Sequence, residues 1–170
     1  MIDWNFVVSL FSTLISAFSV VVAFLAVRES RRTALGTTIS NSRQAWINQL
    51  RSELVEILSI INDFPIFFQH GYISKDEAHA EIKKLLNKFQ IIRLLINPNE
   101  REHEELLKHI YKASIYLSDY ITACEESPSD ENINDKLEEI RKSTSVEEKK
   151  IVELSQSIFK REWIRVKKGE

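Results

Sequence analysis

The chain has 170 residues, and its 23 Lys and Arg stand against 25 Asp and Glu for a formal net charge of -2. Such balance excludes the bulk attraction that a duplex nucleic-acid binder needs, so no duplex nucleic acid is expected as a partner. A single cysteine, Cys124, excludes an internal disulfide, and with four scattered histidines it makes no zinc pattern, so neither metal nor cofactor is expected.

Residues 6–27 carry no charge and are dominated by Val, Leu, Ile and Phe. At about 1.5 Å per residue, a helix of this length crosses a hydrocarbon core of about 30 Å. A cleaved signal peptide would have a basic start and a shorter apolar run. Here Asp3 precedes the run, and Arg28, Arg31 and Arg32 follow it. Residues 1–30 are therefore read as a transmembrane anchor, with the N-terminus outside and the remainder cytoplasmic by the positive-inside rule. Residues 31–42 form a juxtamembrane linker or helix continuation, and residues 43–170 a cytosolic helical domain.

Within the span, Ser9, Ser12, Ser16, Ser19, Ala23 and Ala26 recur at steps of three and four. Small residues on one face let membrane helices approach closely. The stripe reads either as a packing seam between copies of the chain or as the wall of a pore, and both imply a homo-oligomer. It continues through Ser30, Thr33, Thr37 and Ser40.

Ser40, Asn41 and Ser42 offer caps for the first cytosolic helix, whose apolar positions run from Ile47 to Phe64, and Pro65 is expected to end it. A capping box of Ser74 and Glu77 opens a second helix that buries Ala78, Ile82, Leu85, Phe89, Ile92 and Ile96. A third starts near Asn99, with Leu106, Ile110, Ala113, Leu117, Ile121 and Cys124 on its core face. Ser127 to Asp130 reads as a loop. A short helix around Ile133, Leu137 and Ile140 follows, and then a last helix from a second capping box, Ser145 with Glu148. No stretch alternates with period two. The expected fold is all-α: one transmembrane helix followed by a cytosolic bundle of four to five helices.

No phosphate loop, nucleophile elbow or helical His pair is present, and His103 and His109, six apart, fall on different faces. No enzyme is expected. Acids at 100, 102, 104 and 105 suit a helix start, where the dipole favours negative charge. Candidate binding residues are Arg43, Trp46, Arg51, Arg93, Asn97 and Trp163, because guanidinium pairs with phosphate and aromatic rings stack on bases. The competing reading makes both tryptophans structural, the 93–100 stretch a helix joint and the 161–168 stretch a basic helix end.

These candidates sit in three motifs: Ser-Arg-Gln-x-Trp-Ile-Asn-x-Leu-Arg at 42–51, Leu-Leu-Ile-Asn-Pro-Asn-Glu-x-Glu-His at 94–103, and Lys-Arg-Glu-Trp-x-Arg-Val-Lys at 160–167. Together they resemble a widespread family of small bacterial membrane-anchored helical proteins. The architecture is also similar to that of a CRISPR-associated membrane effector of type III systems. That likeness implies a tetramer whose helical cytosolic domain binds cyclic tetra-adenylate. The expectation is a membrane-anchored oligomeric effector or sensor of bacterial antiphage defence in the inner membrane. Its partners would be the bilayer, further copies of itself and a cyclic oligonucleotide. The alternative is an adaptor that tethers a protein to the membrane.

Overall fold

The computed structural model describes the backbone of residues 4–126 and 133–168, and the side chains of residues 11–125 and 133–168. Every element among them is helical: α1 (Trp4–Gln69), α2 (Lys75–Leu95), α3 (Arg101–Glu126) and α4 (Ile133–Lys168). The all-α expectation holds. The stretch 127–130, read as a loop, lies outside the described residues.

α1 is one unbroken helix of 66 residues, about 100 Å long at its standard rise. Two sequence expectations are corrected along it. Ser40, Asn41 and Ser42 cap nothing, because the helix already runs through them; the Ser40 hydroxyl instead donates to the Val166 carbonyl of α4 at 3.4 Å. Pro65 lies inside α1 and does not end it. An interior proline removes one hydrogen bond and crowds the carbonyl four residues back, at a cost of about 3 kcal/mol. Tertiary packing offsets that cost. Pro65 is buried, Phe64 stacks on Phe68 at 5.8 Å, and Phe68 meets the Tyr120 ring at 6.5 Å. The helix ends one turn later, at Gly71, whose φ of 70° favours a residue without Cβ. Tyr72 N–H donates to Phe67 O at 2.9 Å and Gly71 N–H to Phe68 O at 3.1 Å. The Tyr72 ring then closes edge-on over Phe67. This is the Schellman pattern with its apolar contact.

α2 begins at the expected capping box. Ser74 Oγ accepts from Glu77 N–H, and the Glu77 carboxylate accepts from Ser74 N–H at 2.7 Å. Those bonds to the Ser74 backbone and side chain hold the Glu77 carboxyl below its ordinary range. Burial on α3 follows the expected face, with Leu106, Ile110, Ala113, Leu117 and Ile121 buried and Cys124 half-buried. Burial also pushes the Cys124 thiol up.

The second capping box does not form. α4 is a single helix of 36 residues through Ser145. Thr144 is buried beside Pro65 of α1, Glu147 is buried against His109 and Lys112 of α3, and Glu148 accepts from Asn62 of α1 at 3.1 Å rather than turning back on Ser145. Continuous packing against two neighbours thus removes the need for a break, and the two expected C-terminal helices are one.

The contacts give an up-down-up-down arrangement. Trp46 meets Leu95 and Lys88 meets Glu53, so α1 and α2 run antiparallel. Arg43 meets Glu162, and Asn62 meets Glu148, so α4 also opposes α1. Every buried hydrophobic residue among those described lies at Ile47 or beyond. The first part of α1 has no cover. An 18-residue window there reaches a mean hydropathy of 2.0 and is 0% buried. It is long and apolar enough to cross a membrane.

Two outcomes test this account of the core. Ile57→Ala or Leu106→Ala, both at 0% exposure, should cost about 2–5 kcal/mol in urea denaturation followed by circular dichroism. Val55→Ala, at 59% exposure, should stay within about 0.5 kcal/mol. The Glu77 cap has a depressed carboxyl, so its contribution should be complete above the ordinary carboxylate range and fade as pH falls through the lowered value.

Candidate functional site: an arginine–glutamate cleft

The bundle end nearest the apolar part of α1 is built from three stretches remote in sequence. α1 supplies Thr38, Ile39, Ser42, Arg43 and Trp46, the α2–α3 joint supplies Leu95, Asn97, Glu100 and His103, and α4 supplies Glu162 and Arg165. These residues line an open cleft of about 510 Å³.

Trp46 fixes the joint to α1. Its indole N–H donates to the Leu95 carbonyl at 2.6 Å, satisfying one of the orphan acceptors that a helix end leaves. Its ring lies 6.3 Å from the His103 ring, tilted by 46°. His103 is buried, at 2% exposure. Its Nδ1 lies 3.1 Å from the Asn97 N–H and 3.2 Å from the Asn97 carbonyl, so it meets the joint backbone in either tautomer. Nε2 lies 3.8 Å from Glu100 and 3.4 Å from Arg161. The joint itself is pinned by Asn97, whose side-chain oxygen accepts from Asn99 N–H at 3.1 Å.

Charge in the cleft is paired rather than surplus. Glu162 is buried, with its side chain 6% exposed. Its Oε2 accepts from Arg43 of α1 at 2.9 Å and its Oε1 from Arg165 at 2.6 Å. Arg161 donates to Glu100 at 2.5 Å and to Glu102, whose other oxygen accepts from Ser157 Oγ at 2.8 Å. Three arginines therefore meet three glutamates. A buried carboxylate is tolerable only when so partnered, and removing one member is more costly than the pair is worth. One donor is left over: Arg161 Nε is buried, has no hydrogen-bond acceptor among the described residues, and sits 3.7 Å from Glu162 Oε1.

Of the six candidate binding residues, Arg43, Trp46 and Asn97 are brought together here. The other three lie elsewhere. Arg51 covers the Phe159 ring at 5.1 Å, Arg93 is exposed on α2, and Trp163 is 45% exposed beneath Lys167. Sequence reasoning passed over Glu162, Arg161 and Arg165 as binding-site residues, although they belong to the motif that holds Trp163. A signal was there: Thr144, Glu147, Ile151, Ser155, Ile158 and Glu162 follow one helical stripe, and the stripe is the buried face of α4. Glu102 and Glu104 stand in the first turn of α3, as a helix opening favours, and Glu100 and Glu102 are also tied to α4 through Arg161.

The small-residue stripe shows a different feature. Ser16 Oγ donates to Ser12 O at 2.9 Å and Ser19 Oγ to Ile15 O at 2.9 Å, so both hydroxyls are satisfied within α1. Ser12, Ser16, Ser19, Ala23 and Ala26 are exposed in the single chain, as are Phe11 and Phe18; the Ser9 side chain lies outside the described residues. Among the described residues no group of three or more His, Cys, Asp or Glu is placed to hold a metal ion.

No protein-family model matches the chain, and neither does any curated protein or solved structure.

The two tryptophans separate experimentally. Trp46→Phe removes the bond to Leu95 and should lower stability by about 0.5–1.5 kcal/mol in thermal denaturation read by circular dichroism. Trp163→Phe should change it by less than about 0.5 kcal/mol.

Proposed function

We propose that the chain is a membrane-anchored, non-enzymatic signal receiver of the bacterial inner membrane, with its N-terminus outside and its helical bundle in the cytosol. A ligand entering the cleft acts on α1, and copies joined through the Ser9–Ala26 stripe rearrange and perturb the bilayer. The observation that carries this reading is the continuity of α1. One helix holds the apolar segment, the cleft residues Arg43 and Trp46, and the core residues from Ile47 onward. Any displacement of α1 at the cleft is then passed along a rigid rod to the apolar segment, with no flexible linker to absorb it. The mechanism is a population shift, in which the ligand favours one arrangement of the anchored helices.

The flanking arginines support the orientation. Arg28, Arg31 and Arg32 follow the apolar run directly, where an anionic cytoplasmic leaflet attracts them. The assignment to antiphage defence, with a cyclic oligoadenylate as signal and a tetramer as the assembly, rests on the architectural resemblance alone.

A second reading, a tether for a protein partner, draws on a specific observation. At the far tip of the bundle Ile66 and Phe67 are each 45% exposed and Tyr72 is 72% exposed, an apolar patch that no other described residue covers fully. Titration of the purified full chain with cyclic tetra-adenylate separates the two. Saturable binding that is weakened more than tenfold by Arg43→Ala supports the receiver; absence of binding alongside capture of a partner lost in Phe67→Ser supports the tether.

The anchored assembly is testable without any ligand. A reporter fused at Glu170 should be cytoplasmic, and protease added outside the cell should spare the bundle. Single cysteines at Ser12 and Ser19 should cross-link between chains in membranes, whereas cysteines at Phe11 and Phe18 should cross-link poorly. The native Cys124 is half-buried with a raised pKa and should stay silent under mild oxidation. Equal cross-linking from both faces would falsify the seam. Ser16→Leu should separate the helices and Val22→Leu should not.

A further inference from the structure

We infer that Glu162 is an internal stand-in for the anionic group of a phosphate-bearing ligand, and that binding moves its carboxylate from Arg43 to the idle Nε of Arg161. This deepens the receiver reading and rests on it: it names the ligand's chemical class and the contact that the ligand breaks.

Two independent observations converge. The first is unspent donor capacity at the cleft. A guanidinium carries five N–H donors in a planar fork. Arg43 gives one of them, from Nη1, to Glu162 and makes no other hydrogen bond among the described residues, although it lines the cleft. Arg165 gives one to Glu162 and stands 3.6 Å from Glu100. Two arginines of this kind can bind a tetrahedral anion, but only where a carboxylate already sits. The charges around the cleft are balanced, so a phosphate gains full attraction from Arg43 only if Glu162 withdraws from it.

The second observation gives Glu162 somewhere to go. Arg161 Nε is a buried donor without a hydrogen-bond acceptor among the described residues, and an unpaired buried donor is costly. It lies 3.7 Å from Glu162 Oε1, just beyond hydrogen-bond distance. A small rotation of the carboxylate toward Arg161 closes that gap, satisfies the donor and releases Arg43. The carboxylate thus has two partner sets, Arg43 with Arg165 or Arg161 with Arg165. A phosphate that takes Arg43 favours the second. No bond is made or broken covalently and no proton need move.

The consequence is mechanical. Arg43–Glu162 is the ion pair that ties α4 to α1 at the cleft, one turn before the bundle core begins at Ile47. Exchanging it for a ligand contact loosens α1 from α4 at the root of the exposed part of the helix.

The test is isothermal titration calorimetry on the full chain in detergent micelles at low salt, with inorganic pyrophosphate and cyclic tetra-adenylate as separate probes. Glu162→Gln removes the competing carboxylate charge and should tighten pyrophosphate binding by about tenfold over wild type. Arg43→Ala should abolish it. Arg161→Lys keeps the charge, lacks the Nε donor, and should weaken it several-fold. Where Glu162→Gln fails to fold, Glu162→Asp draws the carboxylate back by one methylene and should tighten binding by a smaller factor. Unchanged or weaker binding in a folded Glu162→Gln or Glu162→Asp chain makes Glu162 a structural clamp and overturns the inference. So does absence of pyrophosphate binding in wild type and every Glu162 variant. A cyclic tetra-adenylate response confined to the nucleotide, with pyrophosphate inert throughout, would overturn it while leaving the receiver reading intact. The opposite result, tightened pyrophosphate binding without any change in Ser19 cross-linking, sustains the displacement and removes the receiver.

Discussion

The structure depends on one constraint: the helix that supplies the apolar segment is also a wall of the hydrophobic core. α1 contributes Leu50, Leu54, Ile57, Ile61 and Phe64 to the interior, and α2 and α4 pack directly on it. Neither half can be rotated or shifted alone. Pro65 illustrates how strongly packing enforces this, since a residue that ordinarily ends helices is carried through by the stacked Phe64 and Phe68 and by Tyr120. Among the described residues the one positive φ is at Gly71, where the chain turns back into α2.

A second constraint acts at the other end of the bundle. Burying Glu162 requires cations on more than one side, and they come from α1 and from α4 itself. The same requirement draws the α2–α3 joint in, because Arg161 reaches Glu100 and Glu102 there. One buried carboxylate and its arginines therefore help to position three helix ends against each other. Such networks lend geometric definition more dependably than stability. Here the definition falls on the part of α1 closest to its exposed length.

Much of the fold was legible in the sequence. The stripe from Ile47 to Phe64, the capping box of Ser74 and Glu77, and the apolar face of α3 were each read correctly because each is a local pattern. The errors were of one kind. Pro65, Ser145 and the serines at 40 and 42 are local stop or start signals, and each was overruled by contacts with elements far away in sequence. The cleft was half legible. Arg43, Trp46 and Asn97 stood out as residue types suited to binding, and they do meet. Their acidic partners did not stand out, because a glutamate on a charged helix looks solvated until the neighbouring helices are in position. Arg51 and Trp163, chosen as the same residue types, lie outside the cleft, Arg51 over the Phe159 ring and Trp163 half exposed beneath Lys167.

The hydroxyls of Ser16 and Ser19, folded back onto carbonyls of the turn before, bear on how such a chain would reach an assembled state. A polar side chain carried into hydrocarbon without a partner is penalised, and that penalty would force association as soon as a helix inserted. These serines bring their partners with them. On the proposed reading a solitary copy would therefore be tolerable in lipid, and insertion and association would be separate steps with separate equilibria. The fraction assembled would then follow how many copies share a given area of membrane, so that cellular abundance itself would be a control on the proposed threshold.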